Sequence, residues 1–226
     1  MKKTLISSAV IGVIGFGISA SAQAQSAGQV LGSIGLTHIA PDSSSSNLTL
    51  APVGSQITVG SATQVSGSIT YMVTDNIAID VPLALPFKHS VNGAGTFIGG
   101  AGKVAETKAL PITLLGQYRF GAANAQFRPY LGAGVVYAMF FKERSTALLS
   151  AATGGTPSNP TTVKFDDKLT AAVQAGISVN INPKWFVDAN VIYSPLKTRA
   201  NLSTGQTIDA KLNPTVLSFS VGYVIK

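Results

Sequence analysis

The chain has 226 residues, no cysteine and a formal net charge of +7, and only 11% of its residues are charged. Soluble domains carry about 25% charged residues, so the low fraction argues against an ordinary soluble protein. The absence of cysteine excludes disulfides and thiolate chemistry. The basic residues are dispersed, without a Lys/Arg cluster or an interleaved aromatic platform, which argues against nucleic-acid binding.

The first 24 residues have the pattern of a secretory signal peptide. Lys2 and Lys3 form a positive start, residues 5–18 form an apolar core, and residues 22–24 (AQA) form a small-x-small cleavage site. We therefore predict a cleaved signal peptide at 1–24 and a mature domain at 25–226, with 14 basic and 9 acidic residues. The alternative is an uncleaved membrane anchor, which the short apolar core disfavours.

Beyond the leader, apolar and polar side chains alternate with a period of two, which predicts β-strands. No run approaches the ~18 consecutive apolar residues of a membrane helix. Eight segments alternate: 29–39, 64–73, 77–88, 107–120, 127–142, 168–181, 185–196 and a last one that ends the chain and changes phase near Pro214. In the fifth segment every second residue from Phe127 to Phe141 is uncharged and nearly all are apolar, so either a second sheet or a bilayer must cover that face.

The connections between the strands alternate in length. The short ones carry turn residues and are 74–76, 121–126 and 182–184. The long ones are rich in Ser, Thr, Gly, Asn and Pro and are 40–63, 89–106, 144–167 and 197–210. Short turns on one rim, long loops on the other and an even strand count are typical of a bacterial outer-membrane barrel. We therefore predict an all-β fold, an eight-stranded antiparallel transmembrane β-barrel with short periplasmic turns and long extracellular loops.

Aromatic residues support this orientation. Six of them lie on apolar faces near the short-turn ends of their strands: Tyr71, Tyr118, Phe120, Phe127, Trp185 and Tyr223. Their shared height predicts an aromatic girdle at the periplasmic membrane interface. Phe87, Phe141 and Tyr193 would form a sparser outer girdle. The alternative is that all of these are core aromatics of a soluble β protein.

Several stretches, in order and spacing, resemble the OmpW family of eight-stranded outer-membrane proteins. They are 86–89 (PFKH), 106–108 (ETK), 110–111 (LP), 117–120 (QYRF), 127–134 (FRPYLGAG), 174–176 (QAG) and 182–186 (NPKWF). The resemblance implies a closed barrel in the outer membrane of a Gram-negative bacterium, with a narrow, partly apolar lumen that passes small hydrophobic molecules. It also implies assembly by the barrel-assembly machinery. That machinery usually reads an aromatic last residue, whereas this chain ends Tyr223–Val224–Ile225–Lys226.

The inward-facing positions toward the short-turn end predict a polar plug. It consists of Asp80, Gln117, Arg119, Arg128, Gln174 and Asp188. The interior of an eight-stranded barrel is only just wide enough for side chains, and unpaired buried charge is costly. We therefore expect the opposite charges of the plug to pair. The plug is either a structural closure of the periplasmic half or a polar pathway for solutes.

Above the plug the inner positions become apolar, at Val136, Ala138 and Phe140. An apolar molecule that entered there would meet the plug and would need a sideways exit. The third and fourth strands carry three prolines, which cannot donate to the ladder: Pro82, Pro86 and Pro111. We therefore predict a lateral seam between these strands, short of hydrogen bonds, through which the solute leaves into the bilayer.

Catalytic motifs are weak, and we predict no enzyme activity, no metal site and no cofactor. His38 and His89 fall at loop ends of strands without a carboxylate or serine at a recognisable spacing, and we interpret them as surface residues. Residues 132–134 (GAG) lie inside a strand with no helix after them, and no GxSxG occurs. Asp166 and Asp167 are interpreted as solvated loop charge. Some eight-stranded outer-membrane barrels modify lipids, so an acyl-hydrolase is the minority alternative.

Two functions follow from this sequence. The first is a barrel that passes small apolar solutes, favoured by the apolar upper lumen. The second is a structural or surface-receptor barrel whose long loops, above all 144–167, bind phage, bacteriocin or host partners. In both cases the predicted surroundings are outer-membrane lipid.

Overall fold

The structure is a computed structural model that describes residues 25–226, and the predicted signal peptide lies outside them. In chain order its strands are β1 (Val30–Pro41), β2 (Ser44–Ser45), β3 (Gln56–Val59), β4 (Ala62–Met72), β5 (Ile77–Ala84), β6 (Phe87–Ala94), β7 (Lys103–Arg119), β8 (Phe127–Ser145), β9 (Val163–Phe165), β10 (Lys168–Asn180), β11 (Trp185–Tyr193), β12 (Lys197–Leu202), β13 (Thr207–Lys211) and β14 (Pro214–Val224). The helices are α1 (Gly95–Ile98) and α2 (Ala147–Ala152). Within residues 25–226, no helix is long and apolar enough to span a membrane.

Antiparallel pairing closes the long strands into a barrel. Around the wall β1 pairs with β14, β14 with β11, β11 with β10, β10 with β8 and β8 with β7. β7 pairs with both β5 and β6, β5 pairs with β4, and β4 returns to β1. Since β5 and β6 share one position in the wall, the predicted eight-stranded antiparallel barrel is confirmed.

The wall has an exposed apolar outer surface and a largely buried interior. Residues such as Ile34, Leu36, Leu169 and Phe219 are more than half exposed on the outside. Their neighbours in sequence point inward, because successive side chains of a strand face opposite sides of the sheet. An apolar exterior of this size marks a surface that is covered by another apolar phase.

The third predicted strand, 77–88, is interrupted, and its facing changes at the interruption. Leu83 and Leu85 face outward, but Phe87 is only 1% exposed, whereas Lys88 is exposed. Pro86 has no N–H and favours an extended conformation in the residue before it, so one extra residue enters the wall at this point. The prediction of Phe87 in an outer girdle is therefore wrong.

The same inversion turns His89 inward, with 5% of its surface exposed. Its ring stacks on that of Phe87, with 6.4 Å between the centroids. Its Nδ1 donates a hydrogen bond to the Gly60 carbonyl oxygen over 2.7 Å. The interpretation of His89 as a surface residue is therefore wrong, and the reason is the change of facing at Pro86.

The long loops carry regular structure and form a cap over their end of the barrel. β2, β13, β12 and β9 make a four-stranded sheet in that order, and β3 extends the wall by pairing with β6. Between these elements lies an apolar cluster that includes Ile57, Val91, Val104, Val163, Phe165, Ala200, Leu202 and Ile208. The cap therefore has a core of its own, above the lumen of the barrel.

Candidate functional site

A cavity of about 130 Å³ runs along the lumen of the barrel. Asp80, Gln117 and Arg119 line its end toward the short turns, and Phe165 of the cap lines its other end. Its size is comparable with the ~150 Å³ apolar cavities that hold a benzene-sized molecule. The cavity brings the predicted plug and the predicted apolar chamber into one continuous space.

Arg119 is the centre of the polar end of the cavity. Its Nε and Nη2 both donate to Gln117 Oε1, over 3.1 and 2.9 Å. Its Nη1 donates to Gln25 Oε1 over 2.7 Å and to Ser178 Oγ over 3.2 Å. Gln117 Nε2 in turn donates to Gln174 Oε1 over 2.9 Å. Two strands, β7 and β10, and the segment before β1 are thus joined through one guanidinium group.

Asp188 is held by neutral donors. Tyr130 Oη donates to its Oδ1 over 2.8 Å, and Ser178 Oγ donates to its Oδ2 over 2.6 Å. Asn190 Nδ2 also donates to Oδ1, over 3.0 Å. The guanidinium carbon of Arg119 lies 4.8 Å from the centroid of the Tyr130 ring, within cation–π range. Tyr130 and Ser178 therefore link the cation and the anion of the plug.

The expected direct pairing of opposite charges in the plug is wrong. The ion pairs among the described residues do not include Asp80, Asp188, Arg119 or Arg128. Asp80 instead accepts a hydrogen bond of 2.6 Å from Thr70 Oγ1. Two carboxylates and two guanidinium groups balance in charge. Hydroxyl, side-chain amide and backbone carbonyl groups hydrogen-bond to them, while Arg128 Nε is buried without a partner in the described chain.

Arg128, the lowest residue of the plug, closes the lumen together with Gln25. Arg128 is fully buried, and its Nη1 donates to the Gln25 carbonyl oxygen over 2.7 Å. Its Nη2 donates to the Asp75 carbonyl oxygen. Nearby the apolar cluster Leu31, Met72, Ala78, Phe186 and Val224 fills the same end of the barrel.

Sequence reasoning missed three residues of this network: Gln25, Tyr130 and Ser178. Tyr130 and Ser178 had a usable signal, since both alternate in phase with inward polar residues of their strands. Gln25 had none, because it precedes the first strand and no periodicity applies to it.

The upper lumen is lined mainly by apolar side chains, with His89, Thr107 and Ser194 as buried polar residues among them. Val136 and Ala138 are buried, and Phe140 packs against Phe165 of the cap with ring centroids 5.6 Å apart. The backbone N–H of Phe140 donates to Asp167 Oδ1 over 2.8 Å. The carboxylate of Asp167 thus ties the end of β8 to the segment that leads out of the cap.

The three prolines of the predicted seam lie at a gap in the ladder. Pairing of β5 with β7 stops at Asp80–Leu115, and pairing of β6 with β7 resumes at Phe87–Ala109. Residues 81–86 and 110–114 therefore face each other without ladder pairs in the described chain. Pro82 and Pro111 line the cavity, and so does Leu83, whose side chain belongs to the outward face.

The six aromatic residues of the predicted girdle lie on the outer wall at the short-turn end. Trp185 is opposite Tyr223 in the ladder, and their ring centroids are 4.9 Å apart. The rings of Tyr118 and Phe120 meet edge to face at 5.0 Å. Tyr71 and Phe127 are about half exposed on the same face. Aromatic rings at one height are typical of a membrane–water interface.

Comparison with known proteins places these features in a family. The OmpW family profile matches residues 26–225. Outer membrane protein W of Vibrio cholerae serotype O1 is 34% identical over 226 residues, which cover 99% of each chain. The crystal structure of the outer membrane protein OprG from Pseudomonas aeruginosa superposes with a TM-score of 0.80 at 31% identity, covering 90% of this chain and 99% of that one. The dibenzothiophene metabolism operon protein PahQ of Pseudomonas aeruginosa is 27% identical over 198 residues, covering 84% of this chain and 85% of its own.

Proposed function

The chain belongs to the OmpW family of outer-membrane β-barrel proteins, and we propose that it passes small apolar molecules from the cell surface into the outer membrane. The barrel lies in the bacterial outer membrane with its short turns in the periplasm and its cap outside. One observation carries the proposal. The apolar part of the lumen cavity reaches the wall where β5 and β6 have lost their ladder pairs with β7.

The upper lumen supplies the affinity for such a solute. Transfer of apolar surface from water to an apolar cavity is favourable by about 25 cal/mol per Å². Val136, Ala138 and Phe140 present that surface at the extracellular half of the cavity. The plug disfavours such a solute, because a molecule without hydrogen-bonding groups cannot replace the hydrogen bonds around Arg119 and Asp188.

The seam supplies the exit. In a bilayer a backbone group that loses its partner costs several kcal/mol, so a closed ladder resists opening. Between Asp80 and Phe87 there are no ladder pairs with β7 to break. An apolar solute therefore leaves sideways, between Leu83 on one strand and the segment around Pro111 on the other, and enters lipid without crossing the plug.

The size and chemistry of the cavity favour flat or slender apolar molecules. The volume is about 130 Å³, which suits a solute, or the part of a longer solute, of about one ring. A relative, PahQ, is named for a dibenzothiophene metabolism operon, and dibenzothiophene is a planar apolar molecule. The proposed solutes are of that class, and we assign no catalytic step to the protein.

An uptake assay tests this proposal. Purified barrel is reconstituted into vesicles, and transfer of an apolar fluorescent dye into the bilayer is followed over time. The variant Pro86→Val/Pro111→Val restores two backbone donors at the seam, and we expect slower transfer. Pro129→Val is the matched control, since Pro129 lies in the wall in register with Ile177, away from the seam. Equal rates in parent and seam variant, with equal amounts of folded barrel, would contradict the lateral exit.

A second candidate function is recognition of a protein at the cell surface. Leu50 and Val53 in the cap are 88% and 83% exposed, and Phe97 is 58% exposed. The Phe97 N–H donates to the Gly54 carbonyl oxygen over 3.2 Å, so these apolar side chains belong to adjoining turns. Such exposure suits a phage, bacteriocin or host partner. Leu50→Ser/Phe97→Ser should then reduce partner adsorption and leave dye transfer unchanged, whereas unchanged adsorption would count against recognition through this patch.

A further inference from the structure

Two pairs of lysines lie directly opposite each other, one pair in the wall and one in the sheet of the cap. Lys88 faces Lys108 across β6 and β7, and Lys197 faces Lys211 across β12 and β13. Like charges directly opposite destabilise a strand pair. At the first pair a carboxylate reduces the repulsion, because Lys88 Nζ lies 2.9 Å from Glu106 Oε1. The second pair has no such relief: among the described residues neither Lys197 nor Lys211 forms an ion pair.

Lys197 and Lys211 line a surface groove. A third ammonium group, that of Lys168, and the hydroxyl-bearing residues Ser44 and Ser45 line it as well. We call these five residues the lysine groove. Arg199 and the carboxylates of Asp166 and Asp209 line the same groove, so it carries four cations and two anions.

The two acidic residues of the groove do not neutralise its basic residues. Asp209 is engaged by Arg199, whose Nε lies 2.7 Å from its Oδ1. Asp166 Oδ2 lies 3.6 Å from Lys168 Nζ, and Asp166 Oδ1 accepts a hydrogen bond from Asn201 Nδ2. Once these contacts are counted, the charges of Lys197 and Lys211 remain in excess.

The position of the lysine groove along the barrel axis places it at the level of the lipid headgroups. Tyr193 ends β11 and Leu217 lies on β14, and both are exposed on the lipid-facing surface. Lys197 follows Tyr193 by only four positions and is exposed on the outside, while Ala210 beside Lys211 is buried toward the cap. The two lysines thus lie just beyond the apolar band, on the outer-leaflet side, where lipid headgroups meet water.

We propose that the lysine groove binds the phosphate groups of a phosphorylated glycolipid of the outer leaflet. Ammonium groups attract phosphate as compact charges, and basic residues next to a membrane bind anionic lipid headgroups. The acyl chains of the same lipid would cover the apolar wall below the groove, which a free anion cannot do. The bound phosphates also explain why two lysines are kept face to face. This inference rests on the outer-membrane location and is independent of the proposed transport.

Binding of bis-phosphorylated lipid A to the purified full barrel in a neutral detergent tests the proposal. Lys197→Gln/Lys211→Gln should weaken binding by roughly thirtyfold, from two lysines near an anionic headgroup. Lys184→Gln/Lys226→Gln is the matched control, since it removes the same charge from two exposed lysines at the periplasmic end, and it should bind as the parent does. Lys197→Arg/Lys211→Arg should retain most of the affinity.

Two further measurements distinguish lipid binding from misfolding and from the binding of a free anion. Without lipid, the Lys197→Gln/Lys211→Gln barrel should unfold at the same temperature as the parent or at a higher one, because the repulsion between the two lysines has been removed. Weaker lipid binding by this variant would then not result from misfolding. Inorganic phosphate at the same phosphate concentration should give little stabilisation. Equal lipid A affinity in parent and groove variant would overturn the proposal, and so would equal stabilisation by inorganic phosphate, which would indicate a site for small anions.

Discussion

Gly176 of β10 lies directly opposite Tyr130 of β8, and the Tyr130 ring occupies the space that a side chain at 176 would need. A Cβ at this position would lie 2.4 Å from Tyr130 Cζ and 2.5 Å from its Oη. Gly222 has the same relationship to Phe186, its partner in the ladder, with a Cβ only 2.0 Å from Cζ. Glycine in these strands therefore makes room for an aromatic ring that extends from the neighbouring strand into a narrow lumen.

Gly176→Ala should displace the Tyr130 ring and destabilise the barrel by about 1–3 kcal/mol, the usual cost of overpacking. Denaturant unfolding of the reconstituted barrel measures this change. Gly116→Ala is the control in another wall strand, because a Cβ there meets only the Ala133 carbonyl oxygen at 3.8 Å. Similar destabilisation by both substitutions would mean that strand glycine as such, and not the ring, sets the cost.

Tyr130 and Asp188 should be energetically coupled. Hydrogen bonds to charged groups contribute about 1.5–3 kcal/mol each, and the Tyr130 hydroxyl donates one to Asp188. Tyr130→Phe and Asp188→Ala should therefore be non-additive, with a coupling of at least ~0.5 kcal/mol. Pairing Tyr130→Phe with Thr198→Val, whose hydroxyl donates to the Asp166 carbonyl oxygen in the cap, should give additive effects. An additive Tyr130–Asp188 cycle would show that the bond adds nothing to stability.

His89 should make the stability of the cap depend on pH. It lies beyond Lys88, outside the membrane-spanning part of the wall, and burial lowers its pKa below the usual value, opposed by its hydrogen bond to the Gly60 carbonyl. The unfolded chain then binds a proton more readily than the folded one, so stability present above pH ~6.5 is lost as the pH falls toward the folded pKa.

Protease sensitivity of the cap at neutral and mildly acidic pH measures this effect. His89→Gln keeps a donor for the Gly60 carbonyl and removes the titration, so its sensitivity should change less with pH than that of the parent. Identical pH responses in the two proteins would exclude His89 as the source.

Filling the upper lumen should slow solute transfer. Ala138 is buried and lines the cavity, so Ala138→Phe would occupy much of a space of about 130 Å³. We expect a several-fold lower rate of dye transfer into vesicles at equal amounts of folded barrel. Ala189→Phe adds the same ring on the lipid-facing surface and should leave the rate unchanged. If the two variants behave alike, the lumen is not the route.

The wall was predictable from sequence because lipid on one side and a filled lumen on the other enforce a strict period of two. The prediction failed at one place. The prolines indicated that backbone N–H donors are missing from the ladder. The extra residue at Pro86 also exchanges the inward and outward positions of the side chains that follow it in β6. Phe87 and His89 therefore lie inside. The strand preferences of individual residues cannot predict the position of such an insertion, because it depends on the register between β6 and β7.

The plug was only partly predictable, and the cap was not. Alternation identified Asp80, Arg119, Arg128 and Asp188 as inward. The cost of burying a charge predicts that each charge has a partner, but it does not predict whether two charges are in direct contact or are joined through hydroxyl and amide groups. The strands of the cap have two to six residues, too few for periodicity to separate them from polar loop. Their apolar side chains become a core only when four distant loops meet.

The lower closure of the barrel includes one residue that belongs to no strand. Gln25 receives hydrogen bonds from both Arg119 and Arg128 and donates one to Asn180, yet it takes part in no ladder. In the described chain Gln25 is thus held in the lower lumen only by side-chain and carbonyl contacts, whereas Arg119 and Arg128 are fixed in the wall by their strands. A substitution at Gln25 would change the lower closure without breaking a ladder pair.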